Sequence, residues 1–345
     1  MKRQLAFLAG FLVAATVGAA PLPALTHRVW LLDGVPDEGT MAELRAAGVD
    51  ALVVPVGEAT LAPGSCRLVA STLVQGAIPG GMKVSPAVWV TGSGGSAGDT
   101  AAFINQLTPL LHSLAAGGPL VLAARHYWDG LPAFAGALAK RLGATVEVAL
   151  ALQELRVHLP ARGWPGVRVV AIAFGKPAAL GFAASTLQDD LDALDWLDSR
   201  GLVSRVGVVV VPRASPPPGP EGASLATIAL PSVGGYRPAE HGDQITLRLP
   251  VSWGGRRLDA GEVIAVDVED TARYHRDLGL ILRAARIGVE GWDTLGLPAR
   301  APALGMSREA FVAYLGGALP HPRPVVSARW TSAGRLELAV ANPTP

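Results

Sequence analysis

Residues 120–152 read LVLAARHYWDGLPAFAGALAKRLGATVEVALAL, and this stretch decides the fold. Leu120 to Ala124 is an unbroken apolar run of strand length, Leu131 to Leu142 has the length of a helix, and Thr145 to Leu152 is a second β-rich run. Strand, helix of ten or more residues and strand make a right-handed βαβ unit, which pairs its two strands in parallel.

The same rhythm continues on both sides. Upstream, His27 to Leu32, Val49 to Val56 and Lys83 to Val90 read as strands. Thr40 to Ala47 is a helix stopped by Gly48, and a longer helix runs from Asp99 to Ala116, with Asp99 or Thr100 as N-cap and Gly117-Gly118 as its stop. Downstream, Val167 to Phe174, Val206 to Val211 and Val263 to Val268 read as strands, with helices at Leu187 to Arg200 and Ala272 to Ile287. Near-continuous apolar strands such as VGVVVV at 206–211 suit a sheet covered on both faces. About eight such strands over roughly 270 residues match the size of a (β/α)8 TIM barrel, with a doubly wound open sheet as the alternative. No GxGxxG and no GxxxxGK[ST] follows any strand, which counts against the nucleotide-binding form of that alternative.

The expected layout is an α/β TIM-barrel-like domain over 26–300. Residues 212–262 break its rhythm as an insertion, first proline-rich (PRASPPPGPEG) and then alternating (ITLRLPV). A C-terminal β extension over 320–345 is expected, because Val325 to Trp330 and Arg335 to Val340 alternate like the arms of a hairpin.

The 345 residues are 50% hydrophobic and only 17% charged, which excludes a disordered chain. A net charge of +1 removes the electrostatic case for a nucleic-acid partner. Residues 1–19 have the layout of a secretory signal peptide. Lys2 and Arg3 precede an apolar run from Leu5 to Val17, and small residues follow. Pro21 and Pro23 interrupt that run before it reaches membrane-spanning length, so the mature chain is expected to start near Ala20, periplasmic or extracellular and without a membrane span.

Cys66 is the only cysteine, so no intrachain disulfide forms, and nothing around it marks a nucleophile. The seven histidines form neither HxH nor HExxH, so no metal is expected; no cofactor is expected either. A serine-hydrolase GxSxG elbow is missing. Asp189, Asp190, Asp192, Asp195 and Asp198 lie around an apolar stripe of Leu187, Leu191, Leu194 and Leu197. They read as a solvated helix face, since calcium-loop spacing is absent.

Barrel enzymes place chemistry at the C-terminal ends of their strands. Asp33 stands at the end of the first strand and Trp89 at the end of another. Arg125, His126, Tyr127, Trp128 and Asp129 follow a third as the densest polar and aromatic cluster of the chain, with His126 to Asp129 as its candidate ligand contacts. Trp and Tyr faces stack on sugar C–H surfaces while His and Asp take hydroxyls, so carbohydrate, such as a cell-envelope glycan, is the expected partner. In the competing reading Asp129-Gly130 only turns the chain and the aromatics pack beneath it.

On the strand at 263–268, Asp267 and Glu269 share the face opposite Ile264 and Val266, about 6.6 Å apart. At a barrel mouth such carboxylates, with Asp129, would serve glycoside hydrolysis as acid and as nucleophile or base. The competing reading has Asp270 or Thr271 capping the next helix and Glu269 pairing with Arg273. The expected function is therefore an exported barrel that hydrolyses carbohydrate or, alternatively, only binds a glycan or protein.

From VWLLDG (29–34) through GVDALVVPVG (48–57) to HYWDGLPAFAGALA (126–139), the chain resembles an uncharacterised family of exported bacterial proteins, a domain of unknown function related to barrel-type glycosidases. The resemblance covers most of 27–300 and implies acidic residues at the end of the strand VRVVAIAFGKP (167–177). Ala173 and Gly175 stand there instead, which points toward binding without catalysis.

Overall fold

The computed structural model describes residues 25–32, 34–71, 78, 81–92, 97–114, 117–173, 187–210, 213–215, 233–237, 243–253, 256–267, 270–284, 289–300, 305–317, 325–330 and 336–341. Eight parallel strands close into a ring: β1 (Thr26–Trp30), β2 (Ala51–Ala62), β4 (Lys83–Gly92), β5 (Leu120–Ala124), β6 (Val146–Ala151), β7 (Val167–Ala173), β8 (Arg205–Val209) and β15 (Gly291–Leu295), which returns to β1. Closure excludes the open-sheet alternative. Helices α1 (Glu38–Ala46), α2 (Ala97–Ser113), α3 (Leu131–Leu142), α4 (Leu152–His158), α5 (Leu187–Asp198), α6 (Thr271–Ala284) and α7 (Arg308–Leu315) connect the strands.

Strand alternation divides the core in two. Outward side chains such as Val29, Leu52, Leu122, Val148 and Val206 pack with Phe103, Phe134 and Leu138 of the helices. Inward ones, among them Trp30, Val53, Ala87, Ala123, Ala149 and Ile172, fill the barrel. This period of two is why the strands are apolar almost throughout.

Helix ends carry their own signals. The Asp37 side chain accepts the Thr40 N–H at the start of α1, and Ser307 does the same for Ala310 in α7. Gly143 takes the left-handed conformation that stops α3.

Between β2 and β4 a hairpin replaces the usual helix. The first part of β2 pairs with β1, and its second part, beyond a bulge at Pro55/Gly57, pairs antiparallel with β3 (Ser65–Ala70). β2 thus rises past the end of β1. The outer edge of β3 is sealed by a side chain: Gln106 of α2 accepts the Leu68 N–H and donates to the Cys66 carbonyl. Its amide imitates a neighbouring strand and blunts an edge that would otherwise pair with another chain.

The insertion after β8 differs from the expectation. β9 (Arg213–Ser215), β10 (Val233–Arg237), β11 (Asp243–Leu247) and β14 (Val263–Asp267) form a separate antiparallel sheet in the order β10-β11-β14-β9, and β12 (Val251–Trp253) pairs with β13 (Arg256–Leu258). The strand expected to close the barrel, at 263–268, therefore belongs to the insertion. Ile264 faces Ile245 across the ladder, both buried, while Val263 is exposed, the alternation of a half-covered sheet. The eighth barrel strand is GWDTL at 291–295. It reads poorly as a strand because its inward face carries Gly291 and Asp293 instead of aliphatic residues. β16 (Val325–Trp330) and β17 (Leu336–Ala341) pair as an antiparallel hairpin.

Candidate functional site

The two ends of the barrel lumen hold similar residues in opposite states. In the N-terminal half, Arg28 forks onto Asp293 with Nε to Oδ1 at 2.9 Å and Nη2 to Oδ2 at 2.7 Å. Its Nη1 meets Glu147 Oε2 at 2.7 Å. β1 and β6 are diametrically opposite in the ring, so that last contact spans the lumen. Arg205 adds Nε to Asp293 Oδ1 at 2.6 Å and donates to the Thr26 and Trp292 carbonyls, and Trp30 Nε1 reaches Asp293 Oδ2 at 2.9 Å.

Two arginines and two carboxylates thus neutralise one another, and pairing is the condition on which buried charge is tolerated. Burial works to raise the Asp293 carboxyl, but the two guanidiniums hold it below its usual range. Burial works against charge on Arg28 as well, yet Asp293 and Glu147 raise it. Space comes from glycine: a Cβ on Gly291 would lie 2.1 Å from the Thr26 carbonyl oxygen and 2.7 Å from Arg205 Nη1. Conserving charge at this closed end holds the barrel together and offers nothing to a ligand.

The C-terminal mouth is built differently. Glu58 of β2 lies beside Trp89 of β4, and Trp89 beside Ala123 of β5, in one register. Arg125 follows β5 and reaches across Trp89, its guanidinium carbon 5.7 Å from the ring centroid, to place Nη2 3.0 Å from Glu58 Oε1. The Arg125 side chain is only 15% exposed, whereas that of Glu58 is 61% exposed. Trp89 is half-buried and meets Trp30 below it at 6.1 Å. An indole floor, a held guanidinium and a solvated carboxylate therefore face the opening together. Such a mouth can stack an apolar face and take polar groups at its edge.

The other sequence-chosen residues are dispersed. Trp128 is 7% exposed and packs in the layer between strands and helices. Tyr127 is half-buried and turns the same way, stacked on His158 at 3.9 Å and 5° and on Trp164 at 6.3 Å, while its N–H binds Glu154. Burial and the Asp129 charge raise the Tyr127 hydroxyl above its ordinary value. So neither ring of this pair forms the mouth, contrary to the expectation that one would; the turn closed by Leu131 N–H on the Trp128 carbonyl swings both outward. His126 and Asp129 are exposed. Asp267 sits on β14 in register with Arg213 of β9, in the separate antiparallel sheet and not, as expected, on a barrel strand. Asp33 and Glu269 lie outside the described residues, as does the segment at 1–19.

Glu58 was missed, and Arg125 was read only as the first residue of the cluster that follows its strand. β2 reads as ending at Val56, which leaves Glu58 beyond it; the signal was the Pro63-Gly64 turn between the alternating runs EATLA and CRLVA. Arg125 is two residues past Ala123, on its inward parity.

No family model matches the chain, and no curated protein matches it. The resemblance to an uncharacterised exported family thus gains no support. One solved structure, the spore cortex-lytic enzyme SleL of Bacillus megaterium QM B1551, is similar over 86% of this chain and 75% of that one, at 12% identity and a TM-score of 0.49. That likeness concerns the fold alone, and cortex lysis is a property of that enzyme. Among the described residues, no helix is long and apolar enough to cross a membrane and no cluster of metal-ligating side chains occurs.

Proposed function

We propose that this is an exported barrel that binds carbohydrate at its C-terminal mouth. The observation that carries the reading is Trp89, half-buried at the open end with Arg125 over its ring and the Glu58 carboxylate alongside. An indole face covers the C–H surface of a sugar, and carboxylate and guanidinium at its rim accept and donate to hydroxyls. His126 and Asp129, exposed beyond β5, are proposed as outer contacts. The signal-like layout of residues 1–19 supports export.

Hydrolysis needs two carboxylates facing each other across the cleft. Among the described residues, the mouth pairs Glu58 with a guanidinium instead. Binding therefore stands ahead of catalysis. The test is titration of the protein with a panel of soluble envelope and plant polysaccharides, wild type against Trp89→Ala. Loss of the indole should weaken binding per folded molecule by about 1–3 kcal/mol, five-fold or more. Absence of binding across the panel, or unchanged affinity in Trp89→Ala, overturns the reading.

A further inference from the structure

Resting on the carbohydrate reading, we infer that the ligand is an extended glycan chain several sugars long, running from Trp89 at the mouth onto the hairpin of β2 and β3. The ladders place the surface. β2 continues past β1 and pairs with β3 on one side and β4 on the other, so three strands stand above the ring. Val69, Glu58 and Trp89 are cross-strand partners in one row, and Arg67, Thr60 and Thr91 form the next. Partners in a ladder share a face. The burial agrees. Ala59 and Leu61 are buried, and Cys66 and Leu68 pack with them against the core that holds Phe103 and Leu107 of α2. On the opposite face Glu58, Thr60, Arg67 and Val69 are exposed, Val69 by 53%, while Trp89 and Thr91 are half-buried.

Trp89 packs with the lumen side chains, so this face is the inner wall of the barrel carried upward past its rim. Neighbouring strands lie about 4.8 Å apart, so the row from Trp89 to Val69 spans about 10 Å, longer than one pyranose ring. A sugar stacked at Trp89 therefore has its chain neighbours over Glu58 and Val69. The indole and the Val69 methyls cover C–H faces at two points. Beside them the Thr60 and Thr91 hydroxyls, the Glu58 carboxylate and the Arg67 guanidinium meet sugar hydroxyls. A protein partner fits this face poorly. Gln106 already occupies the β3 edge at Leu68 and Cys66, against strand addition, and among the described residues Val69 is the only large apolar side chain mostly exposed on it. An open face three strands wide follows an extended chain and leaves a coiled one with few contacts.

The experiment titrates the full chain with ladders of two to six sugars: cello-, xylo- and chito-oligosaccharides as extended chains, malto-oligosaccharides as coiled ones. In at least one extended series the hexamer should bind about ten-fold or more tightly than the shortest member that binds, because each further contact is intramolecular. Arg67→Ala combined with Val69→Ser, both at exposed positions, should remove most of that advantage and leave the shortest member's affinity unchanged. Trp89→Ala should weaken every member alike, all affinities being read per folded molecule. Equal affinity along every series, or a hexamer advantage that survives in the double variant, overturns this inference and leaves carbohydrate binding standing. A malto series that gains as much with length as the best extended series also overturns it, whereas binding of none overturns both.

Discussion

The closed and open ends of this barrel use one vocabulary, arginine, carboxylate and tryptophan, for different ends. At the closed end Asp293 is fully buried and receives Arg28, Arg205 and Trp30; at the open end Glu58 is mostly in water and meets Arg125. Residue type therefore says little about function here. What separates the two is whether solvent reaches the acceptor oxygens. A buried network is closed to a ligand, while a pair with one solvated member can exchange it.

Substitutions break that comparison most strongly at the closed end. Asp293→Ala strands two buried guanidiniums and should cost about 3–5 kcal/mol in urea unfolding, with glycan affinity per folded molecule unchanged. A small loss would mean that water enters the lumen and the network is looser than its distances indicate. Trp128→Ala should also cost about 3–5 kcal/mol and leave glycan affinity alone, because the ring packs behind the strands. A drop in affinity with intact stability would return the aromatic cluster to the mouth.

Acid sharpens the contrast next. His27 is buried on the outer face of β1, stacked on Trp292 at 4.6 Å with Nε2 2.8 Å from Thr294 Oγ1. Burial foremost, with Arg205 adding and Asp293 opposing, pulls it down from 6.5 to about 3. Between these values the unfolded chain takes up a proton that the folded chain refuses, so stability declines as pH falls from about 6.5 toward 3. From pH 6.5 to 4.5 this group should remove roughly 2–3 kcal/mol, read by urea titration, and His27→Gln should flatten that slope. The lowered carboxyl of Asp293 adds its own loss only at the acid extreme, as pH falls through its folded value. The smallest expected effect is that of Trp89→Ala on glycan affinity, read per folded molecule.

Seven of the eight barrel strands were legible as apolar runs, because inward and outward faces are both covered. The eighth was not, since GWDTL carries a charge that only Arg28 and Arg205, far away in sequence, make acceptable. VIAVD took its place in the reading because short apolar runs do not reveal which sheet they join. At the mouth, Trp89 was legible from its place at a strand end. Glu58 escaped because β2 continues past the barrel strand β1 into a hairpin, and Arg125 was legible only as the first residue of the cluster after β5.

The strand that completes the ring also sets a clock. Arg28 and Asp293 are separated by 265 residues. At about 5–20 residues per second of synthesis, the first strand waits roughly 13–50 s for the segment that neutralises it. Until then β1 and β8 are raw edges, and Arg28 and Arg205 lack the carboxylate they share. A chain that stops anywhere before Gly291 is therefore an unlatched sheet with sticky margins, and whatever escorts the nascent protein must shield those margins for most of a minute.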